Sequence, residues 1–337
     1  MEGSDNRYLD VGLIIRQKEP KNLEAPFDRI DSYLTPTELF YIRSYFPIPN
    51  LDRASYQLRI DGAVRHPFTL SYDELRSLRS ETRIATLECA GNSRVFLVPQ
   101  VQGAQWELGA VSNAEWTGVP LRALLERAEL AEDVCEIVLE GADRGIPKEE
   151  PLPPGPISYV WSLPHAKAMQ PEVLIAYAMN GRDLPRDHGF PVRAIVPGHY
   201  GMASVKWLTR IRAVSDPFHG YWQTSDYAYW ALTDGKPVRR ALGEMKLKSQ
   251  IARTACLRNL APEPDLHHLR RCMGRRDRRD RDCSEHRWRP NLGQGRIPRP
   301  CATACVATLE IRLAYTEKVG TVHAAGPRQG RERYVAT

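Results

Sequence analysis

Apolar and polar positions alternate over residues 57–64 (Gln-Leu-Arg-Ile-Asp-Gly-Ala-Val), the period of a half-buried strand. The same reading gives a strand over residues 82–88 and a buried strand over 134–140, ending at Gly141-Ala142-Asp143. A further strand runs from Val173 to Tyr177 and is turned at Asn180-Gly181. Residues 190–197 and 204–213 predict two more, flanking a Gly-rich loop. Helical spacing is rarer. Ser71 and Glu74 form a capping box before a short helix from Tyr72 to about Leu78. Pro120 opens another, with Leu121, Leu124, Leu125 and Ala128 on one face. Residues 146–156 read as a proline-rich loop. Strands and helices mix without a βαβ rhythm, which predicts an α+β fold. The 337 residues suffice for two domains, placed at 1–245 and 246–337.

Charge changes the picture of the second part. The net charge is +6, yet residues 254–337 hold 17 Lys+Arg against 9 Asp+Glu, so the first 253 residues are slightly acidic. Residues 265–300 contain 11 arginines and no lysine, and hydrophobic periodicity vanishes there. Five of the seven cysteines also lie beyond residue 253. A nucleic-acid-binding arm and a disordered basic tail both suit such a composition. A one-base shift of reading frame suits it better. With synonymous codons chosen freely, Asp265 to Cys272 can encode T-Y-T-I-F-G-A-A, which alternates like a strand. The continuation places Asp-Gly-Gly where a hairpin turn would go. The expectation is a frameshift between Ala252 and Asp265, a tail without an evolved fold, and no nucleic-acid partner. Two cysteines in the first part make no disulfide framework, no apolar stretch approaches the roughly 20 residues of a membrane span, and no signal peptide is visible. The expected location is cytoplasmic.

Three segments carry candidate chemistry. Cys89 sits in Thr86-Leu87-Glu88-Cys89-Ala90-Gly91-Asn92-Ser93-Arg94. A thiolate, a tight turn and a nearby cation suit a soft metal handling an anion. Leu184 to Arg193 and Pro197 to Leu208 supply His188, Arg193, Lys206 and a Gly-rich loop whose N–H groups can approach a phosphate. Phe40 to Pro49 is an aromatic, Pro-rich run around Arg43, with Phe40 and Phe46 reading as core.

These segments resemble the sulfite oxidase family, over about residues 20–252 in the written frame. The resemblance implies a molybdopterin-binding domain, with Cys89 as the single protein thiolate on molybdenum. It implies that Arg43, Asp143, His188, Arg193 and Ser204-Val205-Lys206 hold the pterin and its phosphate. Arg43 and Arg94 would dock the substrate anion, and Tyr227 in Ser225-Asp226-Tyr227 matches an active-site tyrosine. In the family the arginine matched by Arg43 is followed by Asn-His; Ser44 and Tyr45 depart from that pair. The shifted-frame tail is similar to the family's immunoglobulin-like dimerisation β-sandwich, so a homodimer is expected only where that domain is intact. The implied reaction is oxidation of sulfite to sulfate, with electrons leaving to a separate acceptor such as a cytochrome. Nitrate or sulfoxide reduction, and a defective cofactor-binding protein, are the rival readings.

Overall fold

The computed structural model describes residues 12–148, 150–250 and 252. The readings of residues 253–337, including the β-sandwich and the frameshift, lie outside the described residues. Two five-stranded sheets form the body. One has the strand order Phe68–Ser71, Gln57–Gly62, Leu208–Val214, Glu136–Gly145, Ile157–Pro164. Its only parallel pair joins Leu208–Val214 to Gln57–Gly62. The other runs Arg182–Asp183, Leu174–Met179, Val111–Pro120, Glu81–Glu88, all antiparallel, and Arg193–Ile195 also pairs with Leu174–Met179. Short strands Ile14–Gln17, Asn22–Glu24 and Ile42–Arg43 make a third sheet, and Ala228–Thr233 with Lys236–Ala241 makes a hairpin. Mostly antiparallel sheets with short helices are the α+β arrangement expected. Among the described residues no helix is long and apolar enough to cross a membrane.

Both predicted helices form. Ser71 accepts from the Glu74 N–H while Glu74 accepts from the Ser71 N–H, which fixes the start of helix Tyr72–Ser77. Helix Leu121–Ala128 buries Leu121, Leu124, Leu125 and Ala128 in the first apolar cluster, beside strands Gln57–Gly62 and Val111–Pro120. Asn180 and Gly181 turn the chain with positive φ of 49° and 75°, as a tight hairpin requires.

Several predicted boundaries move. The strand expected over 204–213 begins only at Leu208, because Trp207 takes a left-handed φ of 50° that no strand accommodates. The strand expected over 190–197 shrinks to Arg193–Ile195. The strand expected to stop at Gly141 continues to Gly145, with an irregular register between Glu140 and Arg144. Strand Val111–Pro120 was not foreseen. It is covered on both faces and carries Ser112, Asn113 and Gly118, so it shows no alternation to read.

A second apolar cluster, with Phe40, Tyr41, Leu87, Cys89, Trp106 and Trp116, lies under the Glu81–Glu88 and Val111–Pro120 strands. The first cluster includes Tyr159, Met202 and Tyr227. The functional cleft opens where residues of these two clusters face each other.

Candidate cofactor and active site

One cleft, enclosing about 660 Å³ of space that is partly open to solvent, gathers residues distant in sequence. Eight of the ten candidate residues line it: Arg43, Cys89, Asp143, His188, Arg193, Ser204, Lys206 and Tyr227. Val205 and Arg94 do not. Val205 is buried in the core with its carbonyl accepting from the Ala194 N–H, so its side chain faces apolar neighbours. Arg94 donates to the Ala104 carbonyl at 3.2 Å, and its guanidinium fills the space where Cβ atoms on Gly91 and Gly103 would stand. Its visible work is to hold the 91–104 loop together.

Cys89 directly follows strand Glu81–Glu88. The Cys89 N–H donates to the Ala110 carbonyl, and the Cys89 carbonyl accepts from the Asn92 N–H, closing the turn. Asn92 ties the turn further, donating to Glu88 and accepting from the Ala110 N–H. The thiol is free and buried. Among the described residues no three His, Cys, Asp or Glu groups cluster as a metal site.

Arg43 is anchored through Nη1 to Asn22 Oδ1 and the Ser44 carbonyl, and its guanidinium lies 3.8 Å from the Tyr45 ring centre. Burial opposes its charge, but Tyr45, Tyr227 and Cys89 more than offset this, and its pKa lies above the ordinary arginine value. Arg193 is spent on structure. It donates to the carbonyls of His188 and Ser204 at 2.9 and 3.0 Å, fastening together the two halves of the Gly-rich segment. Burial lowers its pKa to about 10. Ser204 Oγ accepts from the Val196 N–H, so it too supports the loop.

Lys206 donates to Ser44 Oγ and to the Asp187 carbonyl, with Nζ 4.2 Å above the Trp207 ring. Burial and the Arg193 charge push its pKa down, while Asp143 pulls the other way. The irregular register after Glu140 turns Asp143 into the cleft, as bulges re-aim side chains. Burial raises its pKa, and Oδ1 has no hydrogen-bond partner. Burial, then the charges of Lys206 and Arg193, drives the His188 pKa to about 3, so the ring is neutral.

The cleft also holds groups the sequence did not single out. Tyr41, Asp187 and Trp207 line it from within the three candidate segments, and Tyr159 lines it from strand Ile157–Pro164, which carries no motif. The left-handed backbone of Trp207, paired with its indole N–H donating to the Arg186 carbonyl, is strain held at a site. No sequence signal announced it.

The fold and this cleft define a cofactor-binding domain, with cations for an anionic group and one thiol for a soft metal. Asp143 supplies a buried carboxylate oxygen still seeking an N–H, which suits an amine-bearing ring. A family model described as an oxidoreductase molybdopterin binding domain matches residues 45–222. Sulfite oxidase of Gallus gallus is 40% identical over 225 residues, 64% of this chain and 47% of that protein. The NADH nitrate reductase of Solanum lycopersicum is 36% identical over 239 residues, 67% of this chain and 26% of that protein. The crystal structure of the sulfane dehydrogenase SoxCD from Paracoccus pantotrophus superposes with a TM-score of 0.60 at 27% identity, covering 71% of this chain and 58% of that one. The chain thus spans less than half the length of these two curated relatives. It belongs to the sulfite oxidase family of molybdopterin-dependent oxidoreductases. Its cofactor is molybdopterin carrying molybdenum.

Proposed function

We propose that this domain oxidises sulfite to sulfate, taking the fourth oxygen from water and passing two electrons to a separate acceptor such as a cytochrome. The observation that carries the reading is the meeting of Cys89, a soft-metal ligand, with the fully charged Arg43 in one cleft. When bound, the molybdenum cofactor supplies oxygen-atom transfer and accepts the electron pair. Cys89 would hold the metal, Lys206 the cofactor phosphate, and Asp143 the pterin N–H groups. A guanidinium docks an oxyanion through paired N–H donors, and Arg43 is fixed from behind by Asn22 and Ser44 for that work. Tyr227, its pKa raised by burial, stays neutral and presents its phenolic oxygen to the cleft.

The test is sulfite-dependent reduction of an added one-electron acceptor by protein whose molybdenum content has been measured. Turnover that scales with molybdenum is expected. Loaded protein that leaves sulfite untouched would overturn the reading. Consumption of nitrate with a reduced dye in its place would favour the second reading, which the likeness to a nitrate reductase supports. Dimerisation would depend on an intact second domain.

A further inference from the structure

Tyr45 stands where the family motif carries histidine, and it is not idle. Its hydroxyl lies 2.5 Å from Asp226 Oδ2 and 2.6 Å from the Tyr227 hydroxyl. A phenol has one proton. Tyr45 therefore donates to the carboxylate and accepts from Tyr227, which gives the chain a direction. The turn Trp222–Asp226 is π-helical, closed by the Tyr227 N–H on the Trp222 carbonyl, and this wide turn brings Asp226 and Tyr227 together onto Tyr45. Tyr227 and Tyr45 line the cleft, whereas Asp226 does not and is partly exposed to solvent. Arg43 over the Tyr45 ring and Tyr159 stacked on it at 5.7 Å hold the phenol in place.

We infer that Tyr227, Tyr45 and Asp226 form a proton relay that carries one of the protons released during sulfite oxidation from the cleft to solvent. The inference rests on the sulfite reading above. Sulfite and water give sulfate, two electrons and two protons, so each turnover releases protons in the cleft. In the relay the Tyr227 oxygen takes a proton from cleft water as its own passes to Tyr45. The Tyr45 proton passes to Asp226 Oδ2, and Asp226 releases it to solvent. Each O–H bond broken is matched by one formed, and the electrons leave separately through the cofactor. Burial raises the pKa of both phenols, so the hops run in concert and pass through no free tyrosinate. The charged and titratable groups around the chain include Arg43, Tyr41, Cys89, Tyr159 and, beyond Tyr159, Asp143. Tyr45 and Asp226 are thus positioning and relay residues.

The experiment uses molybdenum-loaded Tyr45→Phe, Asp226→Asn and the double variant, assayed with sulfite at saturation and below it. Proton transfer by a placed side chain contributes roughly 10²–10⁴-fold, and water can replace part of a relay, so a kcat loss of about tenfold or more is expected in each single variant. KM should change less than about twofold, the solvent deuterium isotope effect on kcat should change, and the double variant should be no slower than the slower single one. Wild-type kcat in Tyr45→Phe, or a loss confined to KM, would overturn the relay. A second readout needs no cofactor: in thermal unfolding of the cofactor-free protein the two substitutions should be less than additive. Strictly additive losses would show that the hydrogen-bonded chain is absent. Loaded wild-type protein inactive on sulfite would sink the sulfite reading itself, a result distinct from active wild type with unaffected variants.

Discussion

Lys206 is a cation held where cations are disfavoured, and that makes it useful. Its pKa is depressed by burial and by Arg193, so a phosphate arriving beside it restores the charge and draws a proton from solution. Cofactor affinity should therefore weaken as pH rises above the depressed pKa, with proton uptake on binding measurable in buffers of different ionisation enthalpy. Lys206→Met should retain a folded thermal transition and lower cofactor affinity about 10–100-fold, the worth of one charge-assisted hydrogen bond. His188 makes a separate prediction about stability. Its folded pKa is about 3, below the ordinary histidine value, so between about 3 and 6.5 the unfolded chain binds a proton that the folded chain refuses. The stability from its neutral ring is complete above about pH 6.5 and is lost as pH falls toward 3, on the order of a few kcal/mol. Urea midpoints of the cofactor-free protein should fall across that window, and His188→Gln should flatten the fall.

At the level of elements, strand Glu136–Gly145 does two jobs. Its first half is core, with Ile137 and Leu139 buried, and its second half aims Asp143 at the cleft. Gly141 permits the change. A Cβ there would lie 2.6 Å from Asp143 Oδ1 and 2.8 Å from the Lys206 carbonyl, so the neighbouring backbone would have to shift. Gly141→Ala should cost about 1–3 kcal/mol by overpacking and lower molybdenum content after purification. Thermal unfolding and metal analysis check it together. The same strand shows what the sequence could disclose. Its apolar half was legible because buried β-branched and leucine positions cluster, and the helix at Tyr72 was legible because a capping box is a local device. The irregular register at Glu140–Arg144 and the left-handed Trp207 were not legible, because both are imposed by contacts with distant segments. The same holds for the site. Cys89, Arg43 and Lys206 stand in motifs long enough to match, whereas Tyr159 enters the cleft from a strand with no motif. Tyr45 was visible only as a departure from a pattern; its partners Asp226 and Tyr227, more than 180 residues away, give it meaning.

For the molecule as a whole, the family model matches the first part of the chain, and the texture of the sequence changes beyond it. The family model ends at residue 222, and the alignment to the chicken enzyme uses 64% of this chain. Beyond residue 253 arginine replaces lysine, apolar periodicity is lost, and a one-base shift yields strand-like text. The described residues hold three apolar clusters and a cleft lined by eight of the ten candidate residues, so cofactor binding and dimerisation can be tested separately. The prediction is that resequencing codons 245–337 finds a single-base insertion or deletion between codons 252 and 265. Protein made from the restored frame should elute as a dimer and bind molybdenum. Protein made from the written frame should elute as a monomer, with its molybdenum content reporting on the first domain alone. An unaltered DNA sequence, together with a written-frame product that elutes as a stable dimer, would show instead that the arginine-rich tail has a fold and a role of its own.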